Sequence, residues 1–392
     1  MKDLLAQIKG IFPEVVSWRR QLHRCPELSF QEVETSRYIA DILLTFPGIE
    51  VYSPTPTSVM GILKSNVPGP VLALRADIDA LPIDEENELP YRSQNPGVMH
   101  ACGHDGHTAM LLGAAKLLSE RRTFLRGEVR FFFQHGEERL PGGAAEMVRA
   151  GVAVGVDEVY GLHLISTLPT GKFGICRDVV TSATDIFSVK VVGRGGHSSM
   201  PYDCIDPILA GAEIIMAIQS IVSRRIPARD MVVLSVCQVE AGSAYNIIPE
   251  TCLIKGSVRT FSEEMRTKVR DSLKQISQSV AAAHGATVEF EYENGYDSVV
   301  NNATLRDDAT EMLSGIFGTD SIVTLDPMVP GEDFSAFHSN CPAFFLELGA
   351  GNVEKGITAP HHNAKYQMDE DALSLGVAFF AGIVLRRLGE KE

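Results

Sequence analysis

Apolar residues in the first 180 positions alternate between helical spacing and short unbroken runs. The spacing from Asp3 to Pro26 predicts a helix, and that from Ser29 to Phe46 a second one. The second is opened by Ser29 with Glu32 three residues on, a capping-box pattern. Val71-Leu72-Ala73-Leu74 is a brief apolar run of the kind a buried strand shows, and Glu128 to Phe133 and Glu158 to Leu164 are two more. Thr108 to Arg121 is helical, with apolar residues around most of its circumference. Continuous apolar strands separated by helices imply a parallel or mixed sheet covered on both faces.

The pattern changes near Ser182. Strands are expected at Asp185–Val192, Met231–Val239, Thr251–Arg259 and Ala286–Tyr292, with helices at Ile205–Arg224 and Ser262–His284. That order, β-α-β-β-α-β, is a ferredoxin-like sandwich whose two helices cover one face of a four-stranded sheet. From Val299 the chain returns to α/β character, with Ala343 to Leu348 as one more buried strand. The fold class is therefore α/β: residues 1–181 and 295–392 form one domain, and residues 182–294 are inserted into it.

Composition narrows the partners. A chain of 392 residues exceeds one compact core, which agrees with two domains. The net charge of -15 argues against nucleic acid or an anionic membrane surface. Seven scattered cysteines, with no CxxC and an odd total, fit a reducing compartment. The N-terminus has helical spacing with interspersed charge, unlike a signal peptide, and no run approaches the ~18 apolar residues of a membrane span. The expectation is a cytoplasmic protein.

Chemistry concentrates in four places. Met99 to His107 holds three histidines, a cysteine and an aspartate; Glu137-Glu138 follows one strand, His163 lies at the end of another, and His361-His362 sits in a late loop. In open α/β sheets such residues converge in the crevice beyond the strands' carboxyl ends, where Asp77 and Asp79 also fall. Imidazole, carboxylate and thiolate together suit Zn, Mn, Co or Ni and disfavour Mg or Ca. There are more donors than one tetrahedral ion needs, so two divalent ions are expected. Side chains of neighbouring residues in extended backbone point apart. One of Glu137 and Glu138 can therefore bind metal while the other serves as general base.

The segments Arg75 to Pro82, His100 to His107, Gln134 to Glu138, Gly195 to Pro201, Ala244 to Pro249, Gly331 to Phe334 and His361 to Asn363 occur in this order. Together they resemble the co-catalytic metallo-amidohydrolases that include bacterial aminoacylases, hippurate hydrolases and plant auxin-conjugate hydrolases. The resemblance runs from about Arg19 to the last helix. It implies a zinc-exopeptidase-like catalytic domain with an inserted lid and dimerisation domain. It makes Cys102, His104, Glu138, His163 and His362 the metal ligands and Glu137 the general base. Cys102 marks the aminoacylase-like branch, since exopeptidase relatives bridge their metals with an aspartate. Asp79 matches an aspartate that orients a ligand, and Asp77 stands where those relatives carry a histidine. His197 matches a histidine that crosses to the partner subunit of a homodimer and steadies the oxyanion. Asn246 matches a substrate-binding position, and Arg259 is a candidate for holding the substrate carboxylate.

Plainer readings apply to the neighbours. His100 and His107 are expected to support the site without ligating, Asp105 to cap a helix or hold a ligand, and His135 to orient its turn. His23, His284 and His338 read as surface or packing residues. The expected activity is hydrolysis of N-acyl-L-amino acids to a carboxylic acid and a free amino acid. The alternative on the same scaffold is a metallo-exopeptidase acting on dipeptides or C-terminal residues. A silent metal-binding protein would lack the combination of base, ligands and lid histidine.

Overall fold

The computed structural model describes residues 2–389. Residues 1 and 390–392, assigned to the larger domain above, lie outside the described residues. Two compact units emerge: one holds the chain up to Val180, Val299–Pro327 and the chain from Asp333 on; the other holds Thr181–Ser298 and Met328–Glu332. The short return Met328–Glu332 is held by backbone pairing, with the Ser182 N–H donating to Met328 O at 3.0 Å. Its sequence is too short and too irregular for any periodicity to announce it.

Before the smaller unit come β1 (Ile49–Tyr52), β2 (Val59–Lys64), β3 (Val71–Asp77), β4 (Glu128–Gln134), β5 (Glu158–Pro169) and β6 (Phe173–Cys176). The smaller unit carries β7 (Ala183–Val192), β8 (Gly196–His197), β9 (Val232–Ala241), β10 (Ile247–Ile248), β11 (Thr251–Thr260) and β12 (Thr287–Asn294). Two further strands, β13 (Ile322–Leu325) and β14 (Ala343–Gly351), follow it. The α-helices are α1 (Lys2–Arg24), α2 (Val33–Leu43), α3 (His104–Glu120), α4 (Gly143–Arg149), α5 (Pro207–Ser220) and α6 (Glu263–Ala283). The chain ends with α7 (Ala303–Phe317), α8 (Ser335–His338) and α9 (Asp371–Leu388).

The larger unit is built on an eight-stranded mixed sheet in the order β1-β2-β4-β3-β5-β14-β6-β13. Its centre, β4-β3-β5-β14, is parallel, while β1–β2, β2–β4 and β14–β6 are antiparallel. Alternation of side chains along extended backbone explains the unbroken apolar runs. Leu72, Leu74, Phe131, Phe133, Phe344 and Leu346 join the core that also contains Met110, Leu117, Val377 and Phe380. The intervening Ala73, Phe132 and Phe345 join a second core with Met147, Phe334 and Phe337. Helices α1, α3 and α9 pack on one another at the first core, and α4 packs on α8 at the second. Both faces are covered, as the apolar runs require.

The capping-box expectation fails. Helix α2 begins at Val33, not Ser29, and has no side-chain cap. The Ser29 hydroxyl donates instead to Asp79 Oδ2 at 2.7 Å, and Glu32 Oε1 accepts the N–H groups of Phe30 and Gly136. Both polar groups of the presumed capping box are drawn away to the neighbouring strand ends.

The smaller unit has the four-stranded antiparallel sheet β12-β7-β11-β9. This is the strand order 4-1-3-2 that follows from two βαβ crossovers joined by a hairpin. Phe187, Val189, Val191, Ile254 and Val258 from the sheet pack against Ile214 and Ile218 of α5 and Val269 and Leu273 of α6. Ser262 caps α6 by accepting from the Met265 N–H. A π turn over Ile221–Arg225 extends α5. Among the described residues, Pro207–Arg225 is the one helix long and apolar enough by composition to cross a membrane, although Glu213, Gln219 and Arg224 keep it from being an unbroken apolar run. A third of that stretch is buried against its own unit, including Ala210, Ile214, Ile218 and Ile221.

Candidate metal centre

Strands β3, β4 and β5 are parallel neighbours, so their carboxyl ends open along one edge. Asp77 ends β3 with Asp79 just beyond, and Glu137-Glu138 stand in a turn that begins three residues after Gln134, the last residue of β4. His163 lies within β5, which runs on to Pro169 rather than stopping at Leu164. Cys102 and His104 flank Gly103 at the start of α3. Gly103 has φ +92, and a Cβ there would lie 2.7 Å from the Tyr366 hydroxyl oxygen. Only glycine fits that conformation without strain, which sets the two donors on either side of the helix start.

Six of the sequence candidates converge. Donor atoms of Cys102, His104 and His163 lie within 4.8 Å of one another, as do those of Cys102, Glu138 and His362. His104, Glu137 and Glu138 meet the same limit. Cys102 Sγ is 3.4 Å from His163 Nε2, and His362 Nε2 is 3.2 Å from Glu138 Oε1. Two overlapping donor groups therefore share Cys102.

The hydrogen bonds define the tautomers. His104 Nδ1 faces two acceptors, Asp79 O at 2.9 Å and Asp79 Oδ1 at 3.1 Å, so it carries a proton and Nε2 is the nitrogen left to face a metal. His163 Nδ1 donates to Leu164 O at 2.7 Å, which leaves its Nε2 facing Cys102. His107 is consumed internally: Nδ1 donates to Asp77 Oδ1 at 2.6 Å and Nε2 accepts the Leu164 N–H at 2.8 Å. His361 packs its ring 5.2 Å from that of His163 but uses Nε2 to accept the Ser166 N–H at 3.3 Å, while His362 takes φ +61 and reaches Glu138. Asp77 accepts from Arg75 Nη1 at 2.8 Å through its other oxygen, so both its oxygens are engaged.

The electrostatics call for a cation. Burial alone would lower the His104 pKa, but Asp77, Asp79 and Glu138 overcome it and raise it to about 10. Burial, then Glu138, Glu137 and Asp77, hold the Cys102 thiol well above its ordinary value. Burial and the neighbouring His107 and His361 rings keep His163 well below its own. His104 Nε2 is buried without a hydrogen-bond partner, and Glu138 Oε1 is buried with only the His362 ring beside it, Nε2 lying 3.2 Å away. Orphaned donors, a neutral imidazole and a carboxylate excess are what a divalent ion satisfies, so the residues present fit a metal pair.

The supporting residues were only partly anticipated. His23, read as surface or packing, is fully buried, with Nδ1 2.8 Å from Asp105 Oδ2 and Nε2 3.2 Å from Glu85 Oε1. Arg19 Nε completes this node at 2.8 Å from Asp105. Asp333 accepts from Arg75 Nη2 at 3.0 Å, from Gln134 Nε2 at 2.8 Å and from the Ala144 N–H at 3.0 Å. Charged residues inside apolar strands, such as Arg75, were the available signal for this network. His197, Asn246 and Arg259 belong to the smaller unit. His197 and Asn246 lie on paired strands or beside them, with the Ser198 N–H donating to Asn246 O at 3.2 Å. Arg259 lies on β11, its Nη1 donating to Val258 O at 3.1 Å.

An α/β unit presenting an amphoteric metal-donor cluster and an adjacent carboxylate at its strand ends has the make-up of a metallohydrolase. A match to peptidase family M20/M25/M40 spans residues 73–386, and the chain belongs to that family. It is 49% identical over 301 residues to an N-acyl-L-amino acid amidohydrolase of Geobacillus stearothermophilus, covering 77% of this chain and 80% of that one. It is 38% identical over 392 residues to thermostable carboxypeptidase 2 of Saccharolobus solfataricus, covering 98% and 99%. A crystal structure of a Bacillus subtilis dinuclear metal binding peptidase from the M20 family superposes with a TM-score of 0.85 at 35% identity, covering 96% and 98%.

Proposed function

We propose that the protein is a metal-dependent amidohydrolase that cleaves N-acyl-L-amino acids to a carboxylic acid and a free amino acid. The observation that carries this reading is the shared Cys102 between two donor groups, beside a Glu137 that is 8% exposed and within reach of both. The 49% identical amidohydrolase supports the substrate class. Cys102, His104, Glu138, His163 and His362 would hold two divalent ions, drawn from Zn, Mn, Co or Ni. When bound, these ions would polarise the scissile carbonyl and make water a nucleophile near neutral pH. Glu137 takes the proton of the attacking water and returns one to the leaving amine. Asp79 holds the His104 tautomer that this arrangement needs.

The smaller unit supplies the substrate contacts in this reading. His197 Nδ1 accepts the Ser199 N–H at 3.1 Å, so Nε2 carries the proton and is a donor suited to a developing oxyanion. Asn246 and Arg259 bind the substrate, Arg259 through its carboxylate. The apolar residues Ile208, Leu209 and Met216 of α5 are exposed, which supports a homodimer or higher homo-oligomer formed through this unit. The seven cysteines are free, which supports a cytoplasmic location.

The carboxypeptidase relative favours a second reading, a metallo-exopeptidase. Protein reconstituted separately with Zn, Mn and Co should turn over N-acetyl- and N-benzoyl-amino acids faster than dipeptides. The opposite ranking would replace the first reading with the second. Mixing Glu137→Ala with His197→Ala subunits should restore activity in mixed dimers; no recovery after proven exchange would place His197 outside the partner's site.

A further inference from the structure

The segment between α1 and α2 has no role in the mechanism above, yet it carries a fully buried carboxylate and a bulky residue in left-handed backbone. Phe30 has φ +65, a conformation costly for any side chain and concentrated where the surroundings demand it. Glu32 is 0% exposed, and it does not cap the helix it precedes. Its Oε1 accepts two amides at once, Phe30 N–H at 2.9 Å and Gly136 N–H at 2.8 Å. One carboxylate oxygen thus ties the strained residue to the turn that leads into Glu137.

The turn is gripped from its other side as well. The Phe30 ring stands edge-on to His135 with centroids 5.3 Å apart. Gly136 has φ +62, and a Cβ on it would lie 2.8 Å from the Phe30 ring. On the far side of Glu137, the Glu138 N–H donates to Asp79 Oδ2 at 3.0 Å, the same oxygen that Ser29 Oγ reaches at 2.7 Å. Glu137 therefore stands between two amides, each anchored to a buried carboxylate, and residues 29–32 contribute to both anchors. Burial, then the nearby charge of Asp79, pushes the Glu32 carboxyl up to about 7. Keeping a carboxylate there opposes stability, so its presence needs a reason beyond folding α2.

We propose that Phe30 and Glu32 form a clamp on Gly136, and that Glu32 is a positioning residue for the Glu137 carboxylate. This rests on the reading of Glu137 as the general base. A base displaced by about 1 Å can lose on the order of 100-fold in rate with substrate binding intact. Glu32→Ala removes the acceptor for both amides. Glu32→Gln keeps a carbonyl oxygen that can accept them. Phe30→Gly tolerates the positive φ but takes the ring off Gly136.

The test measures kcat, KM and bound metal for these variants beside Glu137→Gln, on the metal-loaded full-length enzyme. Glu32→Ala is expected to lose about 10–100-fold in kcat, with KM and metal content within about twofold of wild type. Glu32→Gln should recover to within about fivefold, and Phe30→Gly should fall between the two. If Glu32→Ala does not fold, the Phe30→Gly and Glu32→Gln values decide. Wild-type kcat in Phe30→Gly and Glu32→Ala, with Glu137→Gln inactive, overturns the clamp alone. Metal loss in proportion to activity overturns it too, because the segment would then be supporting Glu138. An active Glu137→Gln overturns the base assignment and the clamp with it.

Discussion

Two regions of this protein bury ionised groups, and they do so to opposite ends. In the smaller unit Asp185 is 1% exposed and saturated: Arg266 Nε and Nη2 donate to it at 2.9 and 2.5 Å, Tyr292 Oη at 2.7 Å and the Gly295 N–H at 3.2 Å. Arg266 is satisfied in turn by Asp185 and Asp297. In the larger unit the cluster around His104 is left incomplete: His104 Nε2 is orphaned, and Glu138 Oε1 has only His362 Nε2, 3.2 Å away. Buried charge that is fully partnered acts as structure, whereas buried donors that share one missing cation act as a site.

The comparison predicts a crossed pattern of damage, and its largest effect is on turnover. Glu137→Gln should lower kcat by about 100- to 10,000-fold, the usual range for a positioned acid–base group, while urea stability and bound metal stay near wild type. Arg266→Met should do the reverse. It leaves Asp185 buried without its cation, for a loss of about 3–5 kcal/mol in unfolding free energy. Metal content of the still-folded fraction should be unchanged. If Arg266→Met strips metal, or Glu137→Gln destabilises the fold by a similar amount, the distinction between complete and incomplete regions is wrong.

A smaller effect probes the boundary between the two kinds of region. Asp79 is itself well partnered, by Ser29, the Glu138 N–H and His104, yet it serves an orphaned donor. Asp79→Asn keeps the shape but can turn an amide N–H towards His104 Nδ1, which favours the wrong tautomer. Metal affinity measured by chelator competition should fall about 10- to 100-fold, as for other residues that orient a ligand. Unchanged affinity would mean that Asp79 O, 2.9 Å from the same nitrogen, is sufficient alone.

Much of this was legible before the fold was known, for reasons that differ by residue. Phe131, Phe132 and Phe133 read as a strand buried on both faces because no single-faced element tolerates three consecutive aromatics. Cys102 and His104 were legible because thiolate, glycine and imidazole stand together and match the metallo-amidohydrolase motif, although the helix that His104 opens was expected only from Thr108. The Ser29–Glu32 capping box misled, because the same donors and acceptors that cap a helix can serve a neighbouring strand end, and periodicity does not choose between them. His23 was read as bland for a related reason. Its partners Asp105 and Glu85 lie 82 and 62 residues away, beyond any local pattern.

His23 supplies the smallest and most specific break of the comparison, since it belongs to a completed node inside the larger unit. Both ring nitrogens face carboxylate oxygens, with Nδ1 also 3.4 Å from Arg19 Nη2, and the two carboxylates favour the imidazolium form. Burial and the adjacent Arg19 would lower its pKa; the hydrogen bond and charge of Asp105, then Glu85, outweigh them and raise it. A folded pKa above the ordinary 6.5 contributes stability that is fully present below pH 6.5 and lost as pH rises through the folded value. Asp105 and Glu85 are both held below their ordinary values, so their contribution is present above those values and fades only as pH falls. The node is therefore strongest near pH 5.5. Wild type should exceed His23→Gln by about 1 kcal/mol in urea unfolding there, the net worth of an ordinary buried hydrogen bond. That difference should shrink towards pH 9, with bound metal equal in the two proteins. A difference that stays constant across the range would show that the ring is neutral in the folded protein. One that grows with pH would show that the node, like the cluster beside it, is incomplete without a further cation.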